Sequence, residues 1–262
     1  SALEEELGVA LFERHGRGLS LTPAGLSLLE QARAMGAAAG RLSLAAAGQS
    51  EAIAGVVRLS AGELYAAYLL PPILARLRRA HPAIGIELVG ANTVSDLRRR
   101  EADIAIRNAR PDDPELIGRK LGEDGAQLYA AESYLAAQPP MRSAEDLARA
   151  DFVGMEDTGA LVAALNAHGV PVTEQVFGLR AGSHLAHWEL VKAGAGVGLA
   201  PAWLGDGTPG VAPALPGLQP ITYPVWLTAH RELRTSRRIR LVHDLLAAEI
   251  TAALSADQAP RR

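Results

Sequence analysis

Cysteine is absent from the 262 residues of this sequence. Structural disulfides, thiolate zinc sites, iron–sulfur clusters and a cysteine nucleophile are therefore excluded. Long apolar runs are also missing, because Pro, Gly or Arg interrupts each one well before it reaches the length that spans a bilayer. The sequence does not open with the basic start, apolar stretch and cleavage site of a secretory signal. We therefore expect neither a membrane partner nor secretion.

Net positive charge is lacking as well: Lys and Arg number 26 against 29 Asp and Glu, a formal net charge of −3. A protein that coats nucleic acid is expected to be basic, so any DNA contact must come from a local patch. Hydrophobic residues make up 48% and charged residues 21% of the chain, which is enough apolar material for a packed core. The length fits one large domain or two ordinary ones.

Motifs of nucleotide binding and catalysis are missing or incomplete. The sequence has neither a G-x-x-x-x-G-K-[ST] phosphate loop nor a G-x-S-x-G nucleophile turn. The run Gly194–Gly198 lacks the third glycine of a dinucleotide fingerprint and follows a predicted helix instead of a strand, so we interpret it as a helix stop and tight turn. His184 and His187 lie three residues apart near Glu189, but no third ligand is in register, so no metal is predicted. We expect no cofactor and no enzymatic activity.

The first residues show a helix end, a hairpin and a helix start. Ser1–Gly8 is typical of the second half of a helix, with Gly8 as its left-handed end. Two short strands, 10–14 and 19–21, flank a glycine turn, and Thr22-Pro23 then starts a helix that runs to about residue 47. A helix as short as the first is marginal alone. We therefore expect the natural N-terminus to lie upstream of Ser1; the alternative is a short helix docked on the rest of the protein.

The long helix carries a heptad pattern. Its apolar or small residues recur in steps of four and three, which predicts a seam for a partner helix. The seam consists of Leu28, Ala32, Met35, Ala39, Leu42 and Ala46. Because alanine lets a second helix approach closely, we expect dimerisation through this seam; the alternative is packing on the chain's own body.

After residue 55 the pattern changes to strands alternating with helices, which predicts an α/β fold. A helical run at 64–80 contains Pro71-Pro72, where we expect a break or a restart. A C-terminal helix is predicted from about 236 to 253, with Ser236 as its N-cap. The other predicted strands are 56–60, 84–89, 103–107, 116–121, 126–131, 151–155, 175–180, 197–200 and 222–228, and the other predicted helices are 94–101, 143–149, 160–168 and 183–193. Two comparable sets of elements indicate two similar subdomains with a cleft between them.

Polar residues follow four of the predicted strands, and three of these strand ends lead into a helix. Exposed N–H groups and helix dipoles at such ends form sites for small polar or anionic ligands. The candidates are Gly62, Glu63, Asn92, Thr93, Arg107, Asn108, Ser183 and His184. Glu63 does not suit a carboxylate ligand, so we expect it either to favour an amine or hydroxyl group or to pair with Arg107.

The segment Leu7–Gly25 resembles the end of the winged helix–turn–helix of LysR-type transcriptional regulators. In that family an LGxxLFxR run closes the recognition helix and enters the wing, and LTxAG starts the linker helix; here they read Leu7-Gly-Val-Ala-Leu-Phe-Glu-Arg14 and Leu21-Thr-Pro-Ala-Gly25. The resemblance continues in order through Leu69–Pro72, His81-Pro82, Glu101–Ile106 and Leu190–Pro201. It therefore covers essentially the whole chain.

The resemblance implies a partial winged helix–turn–helix, a long linker helix and two α/β subdomains similar to periplasmic binding proteins. The expected divisions are 1–22 for the end of the recognition helix and the wing, 23–50 for the dimerisation helix, 55–131 with 229–255 for effector-binding subdomain I, and 132–228 for subdomain II. In the family, effector contacts come from the four strand-end segments named above. DNA contacts would come from Ser1, Arg14 and Arg17.

The function implied is that of a cytoplasmic, DNA-binding transcriptional regulator controlled by a small-molecule effector. Its partners would be operator DNA and further copies of itself, as a homodimer or homotetramer. Residues 1–54 contain four Arg and six Glu, so we expect this chain by itself to bind an operator weakly. The first alternative is a solute-binding receptor of similar fold, which would need an export signal or lipid anchor. The second is an enzyme, which would need a catalytic constellation that the sequence lacks.

Overall fold

The computed structural model describes residues 2–15, 18–29, 31–32, 35, 53–92, 102–231 and 236–258. Ser1, Arg17, Ala39, Leu42, Ala46 and Thr93 lie outside these residues, as do the predicted helix 94–101 and the linker helix beyond residue 35. No helix in the described ranges is long and apolar enough to cross a membrane.

The N-terminal part follows the predicted order of helix, hairpin and helix. Helix α1 (Ala2–Leu7) ends where Gly8 adopts a φ of 70°, a value that suits glycine because it has no Cβ. Strands β1 (Phe12–His15) and β2 (Gly18–Leu21) pair antiparallel, with Arg14 opposite Leu19. Thr22 accepts the amide of Gly25 on its hydroxyl at 3.0 Å, so it caps helix α2 at residues 23–29 as predicted.

The remaining strands form a seven-stranded mixed sheet and a separate parallel pair. The strands are β3 (Gly55–Ala61), β4 (Ile84–Gly90), β5 (Ile104–Arg107), β6 (Leu116–Ala131), β7 (Val153–Met155), β8 (Leu179–Ala181), β9 (Gly198–Pro201), β10 (Val211–Pro213) and β11 (Ile221–His230). The large sheet has the order β10-β6-β11-β5-β3-β4, and β9 also pairs with β6. Strand β3 is parallel to β4 and β5, whereas β11 is antiparallel to β5 and β6. The parallel pair is β7 with β8.

Helices pack on this framework around two large apolar cores. The helices are α3 (Leu70–Ala80), α4 (Glu132–Ala137), α5 (Ala144–Leu147), α6 (Thr158–Ala167), α7 (His184–Lys192), α8 (Ala202–Gly205) and α9 (Arg237–Gln258). The first core, with Leu59, Leu77 and Leu246 fully buried, joins α3 and α9 to β3, β4 and β5; we call this part lobe I. The second, with Leu147 and Leu165 fully buried, joins α4, α5 and α6 to β6, and together with α7, α8, β9 and β10 it forms lobe II.

Two long strands, β6 and β11, run through both lobes. The prediction of separate strands at 116–121 and 126–131 is wrong, because β6 continues through Gly122–Gly125. These residues resemble a turn in sequence, yet they pair with residues 222–225 of β11. Strand β6 therefore supplies Leu121 to the first core and Leu128 to the second. Leu128 and Ala131, which the sequence analysis placed in subdomain I, pack in lobe II.

The double proline does not interrupt the helix before it. Residues 63–80 are continuously helical, and Tyr65–Leu69 forms a π-helical turn that leads directly into α3. Pro71 and Pro72 thereby fall in the first turn of α3, where the hydrogen bonds of α3 itself do not use their missing N–H groups. The expected restart is confirmed, because α3 begins at Leu70 after the π turn, whereas the alternative of a break is not seen.

Other differences are confined to element ends and short elements. The predicted strand 175–180 is a 3₁₀ turn (Glu174–Val176) followed by β8. Helix α9 begins as predicted but extends to Gln258. Among the described residues, the buried hydroxyl of Ser236 has no hydrogen-bond partner, and it is the carbonyl of Ser236 that accepts the amide of Arg240, at 3.0 Å. The short helices α4 and α8 and the short strand β10 were not predicted.

Candidate functional site

A small cavity of about 220 Å³ lies where the two lobes meet. It opens at the ends of β3 and β5 in lobe I and faces the first turn of α7 and strand β9 in lobe II. Its lining consists of Gly62, Leu64, Tyr65, Asn92, Asn108, Ala126, Met155, His184, Leu199, Ala200, Pro201 and Tyr223. The cavity therefore has contributions from both lobes and from both strands that connect them.

The carboxylate of Glu63, from lobe I, bridges the cleft beside this cavity. Its Oε2 accepts the hydroxyl of Ser183 at 2.9 Å and the backbone amides of His184 at 2.6 Å and Leu185 at 3.4 Å. On its own side of the cleft, Oε2 also accepts the side-chain amide of Asn92 at 3.0 Å. Ser183 is at the same time the N-cap of α7, so Glu63 completes the capping of a helix in the opposite lobe.

The environment of Glu63 favours its charged form. Burial acts to raise the pKa of Glu63, but hydrogen bonds from Ser183, His184, Leu185 and Asn92 outweigh it, and the pKa is lowered. The positive end of the α7 dipole acts in the same direction. Glu63 is therefore an anion at neutral pH. Burial also lowers the pKa of His184, against the opposing effect of Glu63.

The residues that follow Glu63 also dock on lobe II. Leu64 is only 6% exposed and packs in a cluster with Tyr129, Val153 and Trp188. One turn later, the hydroxyl of Tyr68 reaches the carboxylate of Glu189 on α7 at 3.4 Å. Apolar burial and polar contacts thus hold the two lobes together along this side of the cavity.

A buried carboxylate lies beneath the cavity. Asp124, on the connecting strand β6, is 4% exposed, and its Oδ2 accepts hydrogen bonds from the hydroxyls of Tyr65 and Tyr223 and from the indole N–H of Trp203. Its Oδ1 accepts the amide of Gly125 at 2.7 Å. Burial, with Tyr223 and Asp124 nearby, raises the pKa of Tyr65, so this phenol remains a donor. The three aromatic donors satisfy a carboxylate that would otherwise be costly to bury.

The structure brings most of the predicted effector-binding residues to this region. Gly62, Asn92, Asn108 and His184 line the cavity, whereas Glu63 and Ser183 are joined across the cleft beside it. Arg107 donates to the hydroxyl of Ser60 at 2.7 Å and to the carbonyl of Ile106 at 2.9 Å. Within the described residues, the carboxylate of Glu63 bonds Asn92 and residues 183–185 and does not pair with Arg107. Thr93 lies outside the described residues.

Sequence reasoning missed the aromatic side of the site. Tyr65, Tyr223 and Trp203 lie within or after predicted elements and carry no local signal of a shared partner. Asp124 was missed because it falls in the gap between the predicted strands 116–121 and 126–131. Tyr65, two residues after Glu63, was the most accessible clue, since a helix that begins at a strand end directs its first turn toward the same edge of the sheet.

The histidine pair on α7 is split between two environments. His184 lines the cavity, but His187 is 1% exposed and packs in the interior of lobe II near Gly198. Burial lowers the pKa of His187 to about 4, so its ring is neutral at physiological pH. Within the described ranges, no group of three His, Asp or Glu side chains is placed to hold a metal ion.

A larger cavity of about 410 Å³ lies away from the cleft, between the first turns of α9 and the sheet. It is lined by Ile117, Arg119, Ala229, His230, Ile239, Arg240, His243 and Asp244. All of these residues belong to elements of lobe I or to the lobe I ends of β6 and β11. Because a ligand there would not contact lobe II, the interlobe cavity is the better candidate for a site that senses how the lobes are arranged.

Models of known protein families match both parts of this chain. Residues 50–251 match the LysR substrate binding domain, and residues 1–26 match the bacterial regulatory helix-turn-helix protein of the lysR family. The chain belongs to the LysR family of transcriptional regulators. Within this family, the two lobes and the cavity between them correspond to the substrate-binding part of the protein.

Relatives and solved structures agree with this assignment. The chain is 33% identical to the HTH-type transcriptional regulator CrgA of Neisseria meningitidis over 177 residues, 64% of this chain and 57% of CrgA. It is 31% identical to the regulator PtxR of Pseudomonas aeruginosa over 205 residues, 77% of this chain and 65% of PtxR. The match thus spans less than two thirds of either LysR relative. The structure of the CrgA regulatory domain superimposes with a TM-score of 0.68 at 26% identity, covering 75% of this chain and 98% of that domain.

Proposed function

We propose that this LysR-family chain belongs to a transcriptional regulator that binds operator DNA and is controlled by a small molecule held between lobes I and II. The observation that carries the proposal is the interlobe cavity, where polar groups from both lobes converge on one small space. A ligand there would favour one relative placement of the lobes over another, because its contacts differ between placements. In a dimer, that change would reposition paired DNA-binding domains on two half-sites.

The proposed division of labour follows the sequence analysis. Residues 1–22 would contribute the end of the recognition helix and the wing, with Ser1, Arg14 and Arg17 at the DNA. Residues 23–50 would form the dimerisation helix of a homodimer or homotetramer. Residues 55–131 with 229–255 would form effector-binding subdomain I and residues 132–228 subdomain II, except that the second half of β6 packs in lobe II. The site of action would be the cytoplasm, where operator DNA is found, and no catalytic role is proposed.

The proposed effector contacts are the residues at the strand ends. Asn92, Asn108 and His184 present polar groups at the cavity wall, and Gly62 leaves room for a ligand at the end of β3. Glu63 and Ser183 set the relative position of the lobes beside it. Thr93 and Arg107 complete the proposed set, Arg107 by fixing Ser60 at the end of the same strand.

The test is thermal unfolding of the chain against a panel of carboxylates, amines, aromatic compounds and sugars. One chemical class should raise the midpoint in a saturable manner, since a ligand that binds only the folded state stabilises it. Asn108→Ala should abolish this rise, whereas Arg119→Ala, in the larger lobe I cavity, should leave it unchanged. The reverse pattern would move the effector site to lobe I and contradict the proposal.

A second arm separates a regulator from a receptor or an enzyme. In the regulator with an intact helix–turn–helix, the same compound should change the bending or half-site contacts of DNA that the protein selects from a random-sequence pool. Ligand binding without any effect on DNA would favour a solute-binding receptor. Chemical turnover of the bound compound would favour an enzyme.

A further inference from the structure

The N-terminus of α7 is already occupied by a carboxylate of the protein itself. A helix N-terminus that faces a cleft is an anion-binding site, because its free amides point outward and the dipole favours negative charge. In this structure the amides of His184 and Leu185 and the hydroxyl of Ser183 donate to Oε2 of Glu63 instead. The donors come from lobe II and the acceptor from lobe I, 120 residues earlier in the chain.

Within the described part of the chain, the lining of the cavity beside this contact offers no cationic Arg or Lys side chain to a second anion. The neighbouring carboxylates, Glu63 beside the cavity and Asp124 beneath it, would both repel a negatively charged ligand. An anion entering the cavity would therefore lose hydration without gaining an ion pair.

One oxygen of the carboxylate remains available. Oε2 of Glu63 receives every hydrogen bond that the carboxylate makes within the described part of the chain, from Ser183, His184, Leu185 and Asn92. Oε1 accepts no hydrogen bond from the described residues. It does not belong to the side-chain oxygens that are buried without a partner. It can thus accept an N–H or O–H group from a molecule in the cleft.

We propose that Glu63 fills the anion position of the cleft, so that the site selects a small neutral or cationic effector with N–H or O–H donors and rejects carboxylates. This inference rests on the proposed function, because it assigns the chemical class of the effector to the same cavity. Glu63 acts as a specificity-determining residue: it removes the helix N-terminus from use by a ligand and offers Oε1 in its place. The small volume of the cavity restricts the effector to few atoms, since ordinary ligand pockets begin at about 300 Å³.

The first experiment is chemical rescue of Glu63→Ala in the full chain. The variant leaves a carboxylate-sized space at the N-terminus of α7, with its donors unpaired. We expect its unfolding midpoint to fall, and acetate to restore it in a saturable manner while chloride at equal ionic strength does not. The wild type should not respond to acetate. Glu132→Ala, which removes an exposed carboxylate from the first turn of α4, should show no rescue; equal responses of the two variants would overturn the proposal.

The second experiment uses the wild type, so it does not depend on the folding of a variant. Benzamide, benzylamine and benzoate share one ring and differ in charge. Binding of benzamide or benzylamine at least tenfold tighter than benzoate, abolished by Asn108→Ala, would support the proposal. Benzoate binding as tightly as the other two and abolished by Asn108→Ala would refute the selectivity and leave the effector cleft standing. A third outcome separates the two proposals. If acetate rescues Glu63→Ala but none of the three probes and no compound of the panel binds the cleft, the role of Glu63 is supported and the proposed function is not.

Discussion

Trp203 of α8 donates its indole N–H to the carboxylate of Asp124, 3.2 Å away on the strand that connects the lobes. The hydroxyl of Tyr65, from lobe I, donates to the same oxygen, and the ring of Tyr65 meets that of Trp203 edge-on at 5.8 Å between centroids. One buried carboxylate therefore gathers donors from both lobes. The contact fixes the floor of the cleft and links it to the stability of the whole protein.

Asp124→Asn should lower the free energy of unfolding by about 1–3 kcal/mol. If the carboxamide oxygen replaces Oδ2, the nitrogen faces the amide of Gly125, which loses its acceptor. If the carboxamide is flipped, the three aromatic donors lose theirs. In either orientation a donor in a buried setting is left without a partner. Urea unfolding followed by tryptophan fluorescence measures the change. The neighbouring Glu123→Gln is the control, because Glu123 is partly exposed and pairs with Lys120, which is worth about 0–1 kcal/mol. Equal losses in the two variants would contradict a special role for Asp124.

Gly205→Ala should destabilise lobe II by about 1–3 kcal/mol through overpacking. A Cβ at Gly205 would overlap the ring of Tyr129, which cannot move easily because its hydroxyl is bonded to Asp206 at 2.7 Å. Gly178→Ala is the matched control, since a Cβ there meets no atom within 4 Å. Thermal or urea unfolding of the two variants tests the difference, and a neutral Gly205→Ala would show that the ring relaxes.

His187 should make the protein sensitive to mild acid. Its pKa in the folded state is lowered to about 4 by burial, against about 6.5 when unfolded. Between these values the unfolded chain binds a proton that the folded protein does not, so stability falls as pH decreases from about 6.5 to 4, by at most about 1.4 kcal/mol per pH unit. The contribution is complete above pH 6.5.

His187→Leu should flatten this dependence, because leucine cannot be protonated and fits the apolar surroundings. The measurement is the free energy of unfolding at several pH values from 7.5 down to 4. His81→Leu, at the end of α3 in lobe I, controls for the loss of an imidazole elsewhere. If the difference in free energy of unfolding between the wild type and His187→Leu does not change with pH across this window, protonation of His187 does not account for the acid sensitivity.

Met35→Glu should convert a dimer of this chain into monomers. Met35 is 74% exposed on the linker helix, and it belongs to the predicted seam with Leu28 and Ala32, so a charge there would be buried at the helix–helix contact. Light scattering coupled to size-exclusion chromatography measures the mass. Ser27→Glu, about a quarter turn from the seam, should keep the dimer. A monomeric wild type would rule out the seam as a dimer contact.

Local patterns predicted much of the fold. The left-handed Gly8, the hairpin and the cap by Thr22 each depend on neighbours within a few residues, and all are confirmed. The strands at 56–60 and 84–89 were predicted almost to their ends, because each is a short run rich in β-branched and leucine residues that turn residues bound. The π turn before Pro71 was not predicted, since a helix with a wider turn has no distinct sequence pattern.

Long-range partners were beyond the reach of sequence patterns. Glu63 was flagged as unsuited to a carboxylate ligand, but its partners at residues 183–185 depend on how the lobes close. Asp124 fell between two predicted strands because the Gly-Glu-Asp-Gly run lacks strand propensity. Only pairing with β11 makes this run part of a strand. In both cases the deciding contact joins residues that are about 100 positions apart.

The layout of lobe I has a consequence for the protein as it emerges from the ribosome. Strands β3 to β5 and helix α3 are translated before lobe II, whereas Val242, Leu246 and Ile250, which complete the first core, are translated after it. The apolar face of β3 and α3 must therefore stay uncovered while all of lobe II is made. Domains usually fold in N-terminal-first order during synthesis. Here lobe I is the first to be translated but the last to complete its core. A nascent chain arrested between β11 and α9 would present this face to chaperones.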